Sequence, residues 1–246
     1  MSKFQYILWV VLVGLVAFSA EAQQSAGLSS GFADSHTLRV QRKVDDLFER
    51  GEYERAYFIY RNELVPLGDK YAQYMVGFMN LTGKGVEEDP VAASAWYRLA
   101  AERGTPEFVA VRDFLLIGLT PEERSRSDDL FVEIRSEYSD LVVLLNSIKR
   151  GVRDMKPTTG SRISGQSSPI TVIEAKSPNQ SRSNTEFRRR IRSELEGHLI
   201  TLAEIGDFPD METDPSRVDI DDVEQLVKER LRMRPDTPVP KQSTLD

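Results

Sequence analysis

The stretch from Lys70 to Gly104 constrains the fold more than any other part of the chain. It joins two helix-length segments through a turn that suits glycine best. The first segment runs Tyr71-Ala72-Gln73-Tyr74-Met75-Val76-Gly77, and the second ends Trp96-Tyr97-Arg98-Leu99-Ala100-Ala101-Glu102-Arg103-Gly104. Both place bulky and small residues at helical spacing. Between them come Gly83-Lys84-Gly85-Val86 and then Asp89-Pro90. Gly83 and Gly85 permit backbone angles that a residue bearing Cβ resists. Asp89 supplies an N-cap, with Pro90 in the first turn of the second helix. Ala72 and Gly77 let a neighbouring helix approach closely, while Ala93, Ala100 and Ala101 give the second helix a smooth face for the next unit. Trp96 is expected to fill the gap between the two helices, and burying such a ring contributes about 3 kcal/mol or more. A hairpin of this kind is built for stacking, so the expected fold is all-α.

The order Ala72, Gly77, Gly83, Gly85, Val86, Asp89, Ala93, Trp96, Tyr97, Ala100, Ala101, Gly104 resembles a Sel1-like repeat in register and length, over Lys70 to Gly104. Upstream, Leu38 to Arg50 and Tyr53 to Leu64 form a second helical pair broken at Gly51. There Leu47, Phe48, Tyr53, Ala56 and Tyr60 resemble a tetratricopeptide-type hairpin. The resemblance implies a short right-handed α-solenoid of stacked hairpins and a non-enzymatic interaction module or adaptor. In such solenoids the first helix of each pair commonly lines the inner curve, which points to Lys70, Tyr71, Met75 and Phe78 as partner contacts. The competing reading places these side chains in the core between repeats. Two residues depart from the family pattern: Asn80 replaces an aromatic residue and Val76 a leucine, so looser packing is expected near them.

After Gly104 the pattern decays. Pro106 to Ile117 can form another helix, but the Gly-x-Gly-Val turn is missing and Phe108 stands where a small residue is expected. This reads as a terminal, capping repeat. The helix starting at Pro121 has Thr120 as N-cap and Glu123 in capping-box position. Along it Phe131, Ile134, Tyr138, Leu141, Leu145 and Ile148 make one apolar seam, which either closes the end of the solenoid or pairs two chains in a structural homodimer.

The repeat domain is thus expected over 37–150, followed by a Ser- and Pro-rich flexible linker over 151–184. A helical tail over 185–234 carries two stripes, Phe187, Ile191, Leu195, Leu199, Leu202 and Ile220, Val223, Val227, Leu231. They amount to very little core for independent stability, so docking on the solenoid or on a partner is expected. Residues 23–36 and 235–246 are expected to be disordered.

Residues 1–22 read as an export signal, with Lys3 as the basic start, Ile7 to Phe18 as an apolar stretch, and Ala20 and Ala22 at the cleavage site. The alternative is an uncleaved inner-membrane anchor, for which Phe4 to Ala20 is near the minimum length. Export with this repeat pattern suggests a bacterial periplasm. The chain has no cysteine, which excludes a lipoprotein anchor, disulfides and thiolate metal sites.

Little in the chain points to chemistry. The two histidines, His36 and His198, lack companions at metal-ligand spacing, no acid–base pair stands out, and no cofactor or metal is expected. The net charge of −7 conceals a basic middle and an acidic tail. Arg188, Arg189, Arg190 and Arg192 form the one dense basic cluster, and an exported chain would direct it to a membrane surface or an acidic protein face rather than to nucleic acid. The expected partner is another envelope protein or peptide. Cell-wall or exopolysaccharide glycan, bound or processed, is the alternative, and the oligomeric state stays open.

Overall fold

The helical periodicity of 37–150 is realised as successive hairpins in a computed structural model that describes residues 35–155, 171–173 and 181–233. The expected signal with Ala20 and Ala22, nearly all of the stretch 23–36 and the C-terminal residues 235–246 lie outside the described residues. Helix α1 (Ser35–Glu49) turns at Gly51 into α2 (Tyr53–Ile59), which continues as a π-turn, Tyr60–Leu64, and a 3-10 turn, Val65–Leu67. Gly68 stops that run in the left-handed region, with φ 75°. The second hairpin is α3 (Lys70–Thr82) and α4 (Pro90–Ala100), extended by a 3-10 turn, Ala101–Arg103. Then come α5 (Pro106–Gly118), α6 (Pro121–Tyr138) and α7 (Asp140–Met155), followed by α8 (Asn184–Gly206) and α9 (Ile220–Arg232). Within the stretch expected as a linker, β1 (Thr171–Ile173) pairs antiparallel with β2 (Ser181–Ser183), Val172 opposite Arg182. The repeat region is an all-α solenoid.

The caps form as the sequence indicates. Asp89 accepts from the backbone N–H groups of Val91 at 2.9 Å and Ala92 at 3.0 Å, satisfying two amides that α4 leaves open. Thr120 and Glu123 close a capping box on α6. Asp69 caps α3 through the amide of Ala72.

Close approach of α3 and α4 depends on Gly77, where a Cβ would lie 3.2 Å from the Tyr97 ring and 3.3 Å from the Trp96 Cβ. The fully buried Tyr97 meets Tyr74 edge-on at 5.0 Å, and Tyr74 stacks on Phe108 of α5 at 5.1 Å. Phe108 therefore acts as the plug that brings the capping repeat against α3. Trp96 is buried, but it does more than fill its own hairpin. Its ring faces Tyr138 from the end of α6 at 5.9 Å, and the Arg61 guanidinium lies over both rings at 4.8 and 4.6 Å. Three hairpins meet at that stack. The loose packing expected near Asn80 is corrected: its side chain donates to the Val76 carbonyl at 2.7 Å, and its own carbonyl receives the Asp89 amide at 2.8 Å. A polar side chain replaces aromatic bulk there by bonding to backbone.

The single seam expected from Phe131 to Ile148 is also corrected. Ser139 breaks it, leaving helical geometry with ψ 158°, and its hydroxyl accepts from the Val142 amide at the start of α7. Phe131, Ile134 and Tyr138 join the core of the repeats. Leu141, Leu145 and Ile148 join a second core with Leu195, Leu199, Leu202, Val223 and Val227. Both α8 and α9 pack on α7, so the tail covers the half of the seam that a coiled-coil partner would have needed. The sequence boundary at 150 thus cuts through a structural unit whose interior starts at Leu141.

Two expectations follow. A Cβ on Gly85 would fall 2.4 Å from the Tyr53 carbonyl, at a φ of 73°, whereas Gly104 has the same φ and open space around it. Gly104→Ala should therefore cost only the left-handed penalty, about 1–2 kcal/mol. Gly85→Ala should cost clearly more, through added overpacking of about 1–3 kcal/mol, in urea titrations of both variants. The second concerns His198, half-buried on α8, whose pKa is held below 6.5 by desolvation and the nearby Arg150, against Glu194. Because the folded state disfavours the charged form, its contribution is present above about pH 6.5 and is lost as pH falls through the folded pKa. The melting temperature of the tail should drop between about pH 7.5 and pH 5, and His198→Gln should flatten that slope.

Candidate functional site

Asp69 caps α3, which sets Lys70 at the first helical position with its side chain turned inward, 1% exposed. Its ammonium donates to Glu102 Oε2 at 2.9 Å, to the Leu99 carbonyl at 3.1 Å and to Gln73 Oε1 at 3.2 Å, and lies 3.0 Å from Asp140 Oδ1. Glu102 and Arg103 reach this point because the 3-10 turn after α4 swings them back beside α3. Asp140 arrives as the first residue of α7. Arg103 holds the same carboxylate through Nε at 2.8 Å and Nη2 at 3.2 Å, and also donates to the Gly68 carbonyl. The Asp140 amide donates to Glu102, and the Gln73 amide to the Tyr138 carbonyl. Two cations and two carboxylates thus close a nearly satisfied network where the repeat hairpin, the end of α6 and the start of α7 converge.

Outside this network opens a cleft of about 670 Å³ between the repeats and the tail. Its walls carry Arg98 from α4, Arg103 from the turn after it, Arg112 from α5, Arg135 from α6 and Arg230 from α9, with Glu102, Asp113 and Asp140 as the carboxylates. Apolar lining comes from Leu116, Phe131, Leu141, Ile205 and Met233. Most of the arginines are engaged. Arg98 lies over Phe131 at 4.1 Å and pairs with Asp128, while Arg112 pairs with Asp113 at 2.8 Å. Arg135 is different: among the described residues it donates only to the carbonyls of Leu231 and Met233 at the end of α9. Burial holds its pKa below the usual arginine value; Glu102 opposes that and Arg230 adds to it. Arg230 has, among the described residues, one hydrogen bond, to the Met233 sulfur at 3.9 Å. Among the described residues neither has a carboxylate partner.

The residues expected to meet a partner are placed mostly inside. Lys70, Met75 and Phe78 are 1%, 1% and 3% exposed, and only Tyr71 keeps part of its surface. This corrects the inner-curve expectation in favour of the core reading: the π-turn Tyr60–Leu64 packs on α3, and Lys70 turns toward Glu102 and Asp140. Phe78 lies 6.1 Å from Phe48, and the Lys84 ammonium caps Phe48, Tyr53 and Phe78 at 5.0–5.3 Å. Lys84, which the sequence shows only as a turn residue, ties the Gly-rich loop to the first hairpin. The repeat residues fall where the pattern puts them: Ala72, Ala93, Trp96, Tyr97, Ala100 and Ala101 are buried, Gly83, Gly85 and Gly104 have positive φ, and Val86 packs against the core. Arg188, Arg189, Arg190 and Arg192 occupy the exposed first half of α8, with Arg190 paired to Glu194. The arginine cleft had no signature in the sequence, since its walls come from separate helices with no shared spacing.

Among the described residues no group of three or more His, Cys, Asp or Glu is placed to hold a metal, and no helix is long and apolar enough to cross a membrane. Residues 70–105 match the Sel1 repeat family model. No curated protein and no solved structure matches the chain. Sel1 repeats are in general protein–protein interaction modules and typically non-enzymatic.

Breaking a buried ion pair by removing one partner costs about 3–5 kcal/mol. Lys70→Met, which leaves Glu102 and Asp140 facing Arg103 alone, should lose a stability of that order in urea unfolding. Combining it with Asp140→Asn should cost less than the sum of the two single changes, because the pair is coupled.

Proposed function

We propose that the chain is an adaptor of the bacterial cell envelope, exported and periplasmic, that binds another protein or peptide through the outer surface of its helical repeats. The match of residues 70–105 to the Sel1 repeat carries this reading. Burial of Lys70, Met75 and Phe78 in the repeat core turns attention from the inner face of α3 to surfaces that stay open. On the first hairpin and its extension Leu38, Phe58 and Leu67 are exposed, with Phe58 at 62%, and on the capping repeat Ile117 is 81% exposed. Large apolar side chains in water favour contact with a partner when they cluster, and the open cleft beside the capping repeat adds a concave surface.

Placing a photo-crosslinking residue at Phe58 or at Ile117 in cells that export the chain should trap a discrete protein adduct at one position or both. Export with no adduct at either position would overturn the reading.

A further inference from the structure

The cleft between α4, α5, α6 and α9 has a charge pattern that the fold itself does not use. Its inner wall is neutralised, since Glu102 and Asp140 are taken by Lys70 and Arg103. Arg112 is neutralised by its neighbour Asp113 and Arg98 by Asp128. What remains are Arg135 and Arg230, two guanidinium groups that line the cleft and that form no ion pair among the described residues. A guanidinium has five N–H donors in a planar fork. Arg135 spends one nitrogen, Nη1, on two backbone carbonyls, and Arg230 spends one on a thioether. Both side chains line the cleft with guanidinium nitrogens that no described carboxylate takes in an ion pair, so an anion can bind there without displacing one.

The lining also says which kind of anion fits. Leu116, Ile205 and Met233 form apolar wall beside the arginines. Inorganic phosphate would satisfy the charge and leave that wall wet, and a bilayer presents a flat surface to a recess between helices. A peptide with acidic and apolar side chains covers both parts of the lining, and the volume of about 670 Å³ accommodates a few residues of it. Arginine suits carboxylate because two parallel N–H donors meet its two oxygens.

We infer that this cleft is a docking site for an acidic peptide segment of a partner protein, whose carboxylates bind Arg135 and Arg230 while its apolar side chains cover Ile205 and Met233. This rests on the adaptor reading and specifies the partner's chemistry. In it, Arg135 couples occupancy to tail docking, since the same side chain holds the end of α9.

The test uses the chain lacking residues 1–22 and a fluorescent peptide of alternating Glu and Leu, with its Gln-for-Glu counterpart, read by anisotropy. The acidic peptide should bind and the Gln peptide should bind at least tenfold more weakly. Arg230→Glu, at a side chain whose one bond among the described residues is to the Met233 sulfur, should weaken binding at least tenfold with the melting temperature unchanged. Arg135→Gln should do the same if the tail stays folded, which circular dichroism reports. Arg189→Gln with Arg192→Gln on the exposed face of α8 should leave binding intact. Equal binding of both peptides, equal binding by Arg230→Glu, or displacement of the acidic peptide by millimolar phosphate as readily as by unlabelled peptide would overturn the inference. A defined crosslinked partner at Phe58 or Ile117, with no acidic-peptide binding in the cleft, would sink this inference alone and leave the adaptor reading standing.

Discussion

The ion cluster around Lys70 is the interaction on which the arrangement of this molecule depends. Apolar stacking joins α3 to α4 and α4 to α6, but it does not by itself fix where α7 departs. That direction is set by Asp140, held at once by Lys70 and Arg103. Burying a lysine almost completely would be prohibitive without such partners. The cost is offset because the ammonium finds two carboxylates, a carbonyl and an amide oxygen within 3.2 Å. A polar cluster of this sort is geometrically demanding where an apolar contact is tolerant, so it selects one exit angle for the chain.

Much of the repeat was legible in the sequence because its determinants are local. Asp89 followed by Pro90 specifies a helix start wherever it occurs, and Gly83 and Gly85 specify a turn by their missing Cβ. The capping box at Thr120 belongs to the same class. What the sequence concealed depends on partners distant along the chain. Lys70 reads as a surface residue until Glu102 and Asp140 are seen beside it, and Phe78 reads as a groove residue until Phe48 and Lys84 cover it. The break at Ser139 had a signal, a serine before an aspartate, a common N-cap site; the continuous apolar seam on either side masked it. Nothing in the spacing of Arg135 and Arg230 could have joined them, since they meet only when α9 comes to rest beside α6.

Aromatic rings and cations recur at the joints between hairpins. Arg61 lies over Trp96 and Tyr138, Lys84 over three rings, and Arg98 over Phe131. Each pairs a long flexible stem with a flat apolar face, covering ring surface while the charged head keeps a polar environment. The π-turn at Tyr60–Leu64 carries Arg61, and a widened turn of this kind commonly marks a place where local geometry serves contacts beyond the helix.

The break at Ser139 has a broader effect. On either side of it stands a separate apolar interior, one built by the hairpins and one by α7 with the tail, and hydrogen bonds and ion pairs of Asp140 and Arg135 cross between them. Two apolar interiors thus share one polar joint, and a cavity opened in either should lower the stability of its own side first. Damage on one side would then reach the other only through the joint.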